Sequence, residues 1–371
     1  MAHFFVNADK DATLLVGQDV FGSGSYKNTG LDEILEVGKQ FASGSRTSIE
    51  TKYRSIIAFD ITELSASMAS GDIPSDAKFY LKMYDAGSQE LQRDQLLYAY
   101  PVSQSWVEGS GKMSDDPQTS DGVSWQYRDQ YSGSQWHSGS ADGTQWGGSY
   151  FSGSANETSQ SFGKNDKTDM RMDVTKIVKQ WYSGSKPNEG FLIKRSSAEE
   201  ISTEKLGHFK FFSSDTHTVF PPTLECEWDD STWSVGSLTA LSSNELDKLS
   251  IKVENFNPEY KVGSLSLIRV KGREKYPART FATSSQYLTV KYLPSGSCWY
   301  SIVDSKTEDV IVPFGPGSKL SCDADGNYFR LRTKGLQPER FYDIKFKVVS
   351  GSGVNQKINY YDGHDTFKVV R

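Results

Sequence analysis

Apolar and polar residues alternate with a period of two along much of the chain. This spacing predicts β-strands that bury one face. Gly, Pro, Asp and Asn separate these segments, as turns between short strands require. Together the segments predict an all-β chain built from a jelly roll or sandwich. The alternating sets include Phe79–Leu81–Met83, Leu224–Cys226–Trp228, Leu249–Ile251–Val253, Leu288–Val290–Tyr292 and Tyr342–Ile344–Phe346–Val348.

One segment has the spacing of an amphipathic helix instead. Val174, Ile177, Val178 and Trp181 fall at i, i+3, i+4 and i+7, which gives one apolar stripe over two turns. Asp173 precedes them, where a carboxylate accepts hydrogen bonds from the first amide groups of a helix. The pattern therefore predicts a short helix over 173–181.

The composition suits sheets and two separate cores. The chain has 371 residues, of which 36% are hydrophobic and 13% aromatic. Rings fit half-buried sheet faces well, and this length is sufficient for two domains. The stretch FPPTLECEWDD reads as a closing strand, and the polar, turn-rich residues after it read as a linker. We predict domains over 1–230 and 249–371, joined by a linker over 231–248.

Charge, hydropathy and cysteine content indicate which partners and which cellular compartment to expect. A net charge of −6 argues against a general nucleic-acid binder, which needs a basic face. No apolar run reaches the roughly 20 residues of a membrane span, and the first residues lack a secretory signal pattern. Three scattered cysteines favour folding in a reducing cytoplasm. Cys226, Cys298 and Cys322 are expected to be buried thiols, with a Cys298–Cys322 disulfide as the alternative.

An ordered series of phrases in the first domain resembles a known family. The phrases include KNTG at 27–30, RSIIAFDIT at 54–62, WVEG at 106–109, GVSWQYRDQYSGSQW at 122–136 and FFSSDTHTVFPPTLECEW at 211–228. Over residues 8–228 the series resembles the DNRLRE-type domain, a jelly roll related to carbohydrate-binding modules. The resemblance implies scaffold roles for Trp106, Trp125, Trp136 and Trp181.

The second domain resembles fibronectin type III and immunoglobulin-like sandwiches. In GLQPERFYDIKFKVV, the residues Leu336, Pro338 and Tyr342 have the spacing of the turn before a late strand in those domains. The resemblance implies a tyrosine corner, in which the Tyr342 hydroxyl bonds back to the preceding turn. The phrases KYPARTF and KYLPSGSCWYSI also resemble terminal domains of virion structural proteins of large tailed bacteriophages.

No catalytic or metal-binding motif is recognisable. The five histidines are dispersed, and neither a G-x-S-x-G nor a P-loop pattern is present. The segment 322–327 lacks the spacing of a calcium loop and predicts a hairpin turn instead. We expect no catalytic residue and no cofactor. The resemblance to carbohydrate-binding modules leaves one alternative, a structural calcium held by Asp9, Asp11 and Asn28.

The Gly-Ser-rich segment 124–151 has two interpretations. Its rings form either an exposed platform on which sugars stack or part of the core of an aliphatic-poor domain. The core interpretation is favoured for most of them. Trp146, Tyr150 and Trp136 are the candidate ligand-binding residues, and Trp146 is the extra tryptophan in the long Gly-Ser part.

These observations predict a non-enzymatic structural or decoration protein of a tailed-phage virion, in its capsid, neck or tail. It would be made in the host cytoplasm and act through contacts with other virion proteins, as a homo-oligomer or in many copies. Nucleic acid and membrane are not expected as partners. The alternative function is a carbohydrate-binding adhesin that recognises host-surface glycans.

Overall fold

The protein is described by a computed structural model that covers residues 2–19, 22–23, 26–41, 49–89, 91, 94–137, 146–241, 248–276, 281, 291–351, 353–362 and 365–371. Within these residues, strands dominate and three short α-helices connect some of them. The chain is therefore all-β, as the alternating pattern predicts. Leu288 and Val290 lie outside the described residues, as do 277–280 of KYPARTF and 242–247 of the predicted linker.

The chain divides into two compact units. The N-terminal unit comprises residues 6–225, and the C-terminal unit comprises residues 226–371 together with residues 1–5. The sequence pattern does not reveal that the first five residues belong with the last part of the chain. Phe5 belongs to the core of the C-terminal unit, and a Cβ on Gly335 would lie 2.5 Å from the Cβ of Phe5.

The N-terminal unit contains the strands β2 to β13 and the three helices. The boundaries of the unit fall within β1 and β14. The elements are β1 (His3–Asn7), β2 (Lys10–Asp19), β3 (Gly22–Ser23), β4 (Ile34–Phe41), β5 (Ile49–Ala58), α1 (Thr62–Ala69), β6 (Lys78–Met83), β7 (Gln95–Pro101), β8 (Tyr127–Asp129), β9 (Ser134–Gln135), β10 (Thr158–Phe162), β11 (Met170–Asp173), α2 (Thr175–Tyr182), β12 (Phe191–Lys194), α3 (Ser197–Ile201), β13 (Phe209–Phe212) and β14 (Thr223–Glu227).

Two larger sheets organise these strands. One has the order β1-β14-β6-β11, and the other has the path β10-β7-β12-β5-β2-β3, with β4 paired to β5 and β13 paired to β4. All of these pairs whose register is resolved are antiparallel, for example Leu14 opposite Arg54 and Phe211 opposite Leu35. Alternate residues of β6 are buried, which confirms the strand predicted from the alternation of Phe79, Leu81 and Met83.

The C-terminal unit consists of twelve further strands in the described residues. They are β15 (Thr239–Ala240), β16 (Leu249–Glu254), β17 (Glu259–Lys261), β18 (Leu265–Glu274), β19 (Lys291–Tyr292), β20 (Cys298–Asp304), β21 (Val310–Val312), β22 (Ser321–Asp323), β23 (Gly326–Arg332), β24 (Phe341–Ser350), β25 (Lys357–Tyr361) and β26 (Thr366–Val370). They form one sheet of β15-β19-β18-β23-β22 with β16, and another of β17-β26-β24-β20-β21 with β25. Inward residues of both sheets share one core, where Tyr300 stacks on Phe329 at 4.1 Å between ring centroids.

The predicted helix is confirmed as α2. Ile177, Val178 and Trp181 are buried on its apolar stripe. The carboxylate of Asp173 accepts a hydrogen bond from the amide of Thr175 at 3.0 Å, which satisfies a donor that the first turn leaves free. The helices α1 and α3 lack such a long stripe, and the sequence pattern does not predict them.

The predicted hydrogen bond of the tyrosine corner is also confirmed. The Tyr342 hydroxyl donates to the carbonyl oxygen of Gln337 (3.2 Å) and accepts from its amide (2.9 Å). The predicted hairpin at 322–327 is present too, since β22 and β23 pair with Asp323 opposite Gly326. Gly326 has a φ of 125°, a conformation that residues with side chains rarely adopt.

The three cysteines are buried, and Cys298 and Cys322 do not form a disulfide. Within the described parts of the chain, no helix has the length and apolar character needed to cross a membrane.

Candidate functional site

Trp125 and Trp136 of the Gly-Ser-rich segment lie in the core of the N-terminal unit, together with Trp106. Trp106, Trp125 and Trp136 belong to one buried cluster with residues of β2, β5 and β12. Trp136 is only 1% exposed, and its Nε1 donates a hydrogen bond to the carbonyl oxygen of Ser124 at 3.0 Å. Trp136 therefore presents no ring face to a ligand, which removes it from the candidate sugar platform.

Trp146 and Tyr150 lie at the edge of this core and are partly buried against it. Trp146 has a φ of 64°, and Gly147 and Gly148 follow it with positive φ values. A Cβ on Gly147 would lie 2.6 Å from the ring of Trp125, so this position requires glycine. Residues 138–145, which precede Trp146, lie outside the described residues.

A buried ion cluster fixes the loop that carries Trp146. The Arg54 guanidinium contacts the Glu200 carboxylate at 2.6 Å, donates to the Gly147 carbonyl oxygen at 2.7 Å and lies 4.7 Å from the centroid of the Trp125 ring. The Lys194 ammonium lies 3.4 Å from Glu200. Buried charges are costly unless paired, so this cluster indicates a scaffold role for the loop.

Tyr150 is connected to the same cluster. Its hydroxyl lies 3.4 Å from the Lys194 ammonium, and its ring packs on Tyr100 with 4.7 Å between centroids. The structure thus brings Trp146 and Tyr150 to one core edge and places both in intrachain contacts. Their partial exposure leaves part of each ring accessible.

The hydrogen bonds of Asn28 bear on the alternative of a structural calcium. Asn28 is buried, and its side-chain amide forms hydrogen bonds with the surrounding backbone. Its Nδ2 donates to two carbonyl oxygens, and its Oδ1 accepts from the amides of Gly30 and Gly111. No described group of three or more His, Cys, Asp or Glu side chains is placed to hold a metal ion. Of the three candidate ligands, Asn28 is therefore occupied by hydrogen bonds within the chain and has no oxygen directed to a calcium ion.

Asp11 nevertheless has an unusual environment. One carboxylate oxygen accepts the amide of Ser214 at 2.7 Å, while Oδ1 is buried without a hydrogen-bond partner. Burial raises the pKa of Asp11 to about 7. The nearby Glu108, which accepts the amide of Asp11 at 2.7 Å, has its pKa raised to about 7 as well, again mainly by burial.

A polar cleft of about 390 Å³ lies beside β4, β5 and β13, and we call it the β4–β13 cleft. Charged and aromatic side chains line it, and this volume is within the usual range for small-molecule sites. The lining residues used below are Glu36, Lys39, Tyr53, Lys205, His208 and Lys210.

Gly38 and the strand register position His208 in this cleft. Gly38 pairs with Tyr53, and a Cβ on Gly38 would lie 3.0 Å from Cδ2 of His208. The imidazole can therefore lie against β4, with its centroid 4.7 Å from that of the Tyr53 ring. The backbones of His208 and Gln89 exchange two hydrogen bonds of 2.9 and 2.8 Å, which hold this segment in place.

The cleft concentrates positive charge. The Lys210 ammonium lies 3.4 Å from one Glu36 oxygen, and Nε2 of His208 lies 3.8 Å from the other. The Lys39 ammonium donates to the carbonyl oxygen of Glu199 at 2.7 Å and to the Ser202 hydroxyl at 2.9 Å. Lys205 is exposed at the rim of the cleft. Glu36 is the carboxylate among the described residues that line it.

Burial controls the protonation of the groups in the cleft. It lowers the pKa of His208 to about 4, with Lys210 and Arg195 contributing in the same direction. His208 is therefore neutral at pH 7. Burial also raises the pKa of Glu36 and lowers that of Lys39.

A second cleft of about 330 Å³ adjoins the first, because Glu36 lines both. Asp32 lies in this second cleft, and its carboxylate accepts the amide of Met113 at 3.0 Å. Burial raises the pKa of Asp32 to about 6. The two clefts together present hydrogen-bonding groups along one side of β4.

No sequence motif marks this cleft. Lys39 lies on β4 and His208 immediately precedes β13, which pairs with β4, but about 170 positions separate them, so no local motif joins them. A weak local signal exists in Lys210, which follows His208 at the spacing of one strand face.

No family model and no curated protein matches the chain. A DUF4785 family protein from Legionella pneumophila has 8% identity and a TM-score of 0.22, with 100% of this chain and 62% of that one covered. A β-D-glucuronidase of Dictyoglomus thermophilum has 7% identity and a TM-score of 0.17, with 97% and 43% covered. This chain spans less than two thirds of either protein, and similarities this low carry no argument about its function.

Proposed function

We propose that this protein is a non-enzymatic structural component of a tailed-phage virion that binds other virion proteins through its C-terminal unit. The resemblance of the phrases around Tyr276 and Trp299 to virion structural proteins suggests the setting. The observation that carries the docking proposal is a row of side chains on the outer face of the C-terminal unit, which we call the aromatic row.

The aromatic row crosses three neighbouring strands. Trp299 on β20 is opposite Lys347 on β24, which is opposite Tyr360 on β25. Phe314 lies 5.9 Å from Tyr360, and the Lys347 ammonium lies 5.4 to 6.0 Å from the centroids of all three rings. Tyr360 is 63% exposed, and Ile358 next to it on the same strand face is 46% exposed.

Such a surface supports protein–protein docking. Aromatic side chains bury a large area at a low cost in conformational entropy, and they are enriched in interface centres. In the described residues β25 pairs only with β24, so its other edge leaves backbone groups for a partner. The row therefore combines apolar area, a central cation and a strand edge.

The test uses a charge at the centre of this surface and a matched control. Tyr360→Glu is expected to reduce incorporation into purified particles at least tenfold, measured by quantitative mass spectrometry. Tyr131→Glu places the same charge at an 88% exposed tyrosine of the N-terminal unit and is expected to incorporate normally. Normal incorporation of Tyr360→Glu would refute the docking face. Absence of the unaltered protein from particles would refute the virion assignment.

The β4–β13 cleft favours a second candidate function, glycan binding. Its Lys, His, Gln and Glu side chains supply donors and acceptors for sugar hydroxyls. Glycan-array binding by the whole chain, lost in His208→Ala, would assign binding to the cleft. Loss in Trp146→Ala instead would assign it to the aromatic loop, provided that the melting temperature is retained. Binding to no glycan would leave the structural role alone.

A further inference from the structure

We propose that the β4–β13 cleft binds the anionic group, a carboxylate or a phosphate, of an acidic glycan. This inference rests on the glycan-binding function proposed above and adds the charge of the ligand. It follows from the excess of lysines over carboxylates in the lining and from two guanidinium donors of Arg195 that lack a hydrogen-bond partner.

Cations outnumber carboxylates in the lining. Lys39, Lys205 and Lys210 line the cleft together with a single described carboxylate, that of Glu36. Lys210 is the lysine nearest to that carboxylate, at 3.4 Å. No ion pair to Lys205 occurs among the described residues, so its charge remains available at the rim.

Arg195 adds a fourth cation next to the lining. It is only 1% exposed, and its Nη2 donates to Oε1 of Gln95 at 2.6 Å and to the carbonyl oxygen of Gly207. Its Nε and Nη1 are buried without a hydrogen-bond partner. Gly207, whose carbonyl oxygen accepts from Nη2, directly precedes His208, so the guanidinium lies close to the cleft. Unsatisfied buried guanidinium donors are costly, and a nearby anion offsets that cost.

Three further acidic side chains, Glu199, Glu200 and Glu204, lie outside the lining but act on its cations, since Glu199 and Glu200 raise the pKa of Arg195 and Glu199 and Glu204 raise that of Lys39. Glu199 forms a capping box with Ser196 at the start of α3, and Glu200 forms the buried pair with Arg54. Glu204 is exposed, although its charge raises the pKa of Lys39. The lining itself has three lysines and one carboxylate, and this local excess of positive charge is what a ligand anion can balance.

His208 gives the binding a pH dependence. The Glu36 carboxylate lies 3.8 Å from its Nε2, and the centroid of the Tyr53 ring lies 4.7 Å from that of the imidazole. The charges of Lys210 and Arg195 also act on the ring, and Nε2 is buried without a hydrogen-bond partner. An anion beside Nε2 favours the protonated imidazole and raises the pKa of His208 from about 4. Binding and protonation are linked, so affinity rises as the pH falls from 7 toward 5.

The size of the cleft suits a sugar unit rather than a bare ion. About 390 Å³ exceeds what a free phosphate fills, and the adjoining cleft of about 330 Å³ offers room for a following residue. The anionic group then faces the lysines, and sugar hydroxyls face Gln40 and Gln89.

The experiment titrates the whole chain with glucuronate, glucose and inorganic phosphate at low salt, by calorimetry at pH 7 and pH 5.5. We expect glucuronate to bind at least tenfold tighter than glucose, and tighter at pH 5.5 than at pH 7. Lys205→Glu is expected to weaken glucuronate binding at least tenfold. Lys78→Glu, at an exposed lysine of β6, is the matched control and is expected to change it less than twofold.

The outcomes separate the two levels of the proposal. Equal binding of glucose and glucuronate, or no effect of Lys205→Glu, would overturn the anion site and leave glycan binding intact. Binding of phosphate without glucuronate would support the anion site and overturn its assignment to a glycan carboxylate. Binding of none of the three would overturn both. A glucuronate affinity that is insensitive to pH would overturn the role of His208.

Discussion

Replacement of Glu200 by Gln tests whether the buried ion cluster stabilises the N-terminal unit. The Glu200 carboxylate lies 2.6 Å from the Arg54 guanidinium and 3.4 Å from the Lys194 ammonium, and both cations are almost fully buried. Gln keeps the shape but leaves two buried cations without this anion. Breaking a buried ion pair in this way costs about 3–5 kcal/mol. Since the amide oxygen still accepts one hydrogen bond, we expect about 3 kcal/mol.

Urea denaturation followed by tryptophan fluorescence measures this loss. Five of the eight tryptophans belong to the N-terminal unit, so the signal reports mainly on that unit. With a slope of about 2–3 kcal/mol per M, the midpoint is expected to fall by about 1–1.5 M. Glu33→Gln, at an exposed glutamate of the same unit, is the control and is expected to change stability by less than about 0.5 kcal/mol. A loss below about 1 kcal/mol for Glu200→Gln would refute the reasoning.

Three further predictions concern other parts of the molecule. Tyr342→Phe removes both hydrogen bonds to Gln337 and is expected to cost about 1–3 kcal/mol, seen as faster hydrogen exchange in β24. The folded-state pKa of Asp11, about 7, lies above its ordinary value of 3.8, so its contribution to stability is lost as the pH rises from about 4 to about 7. Asp11→Asn is expected to flatten that slope in melting curves measured across this range. Gly38→Ala places a Cβ 3.0 Å from the His208 ring and is expected to cost about 1–3 kcal/mol by overpacking and to abolish glucuronate binding, measured by melting and calorimetry.

The elements that the sequence predicts well are those whose information is local. The helix α2 is visible because Ile177, Val178 and Trp181 repeat at its period. The tyrosine corner lies within six residues, and the hairpin before Gly326 needs only a short turn. In each case the residues that make the contact are close along the chain.

The cleft and the ion cluster could not be predicted in the same way. His208 meets Gly38 only because β13 pairs with β4, and Glu200 meets Arg54 across 146 positions. Alternation identifies a strand but not its neighbour, so it does not indicate which side chains converge. Trp136 is a further example: the sequence makes it a candidate ligand-binding residue, but it is buried. A tryptophan among Gly and Ser has the same local sequence whether its ring is buried or exposed.

The placement of the first five residues affects how the chain completes its fold during synthesis. Phe5 packs in a core whose other members come from residues 241 onward, so its core contacts cannot form until the ribosome has made those residues. Residues 6–225, in contrast, emerge as a continuous stretch and can close earlier. A peptide tag fused before residue 1 would lie next to the later-folding unit, and a fragment that begins at residue 226 would lack a piece of its own interior.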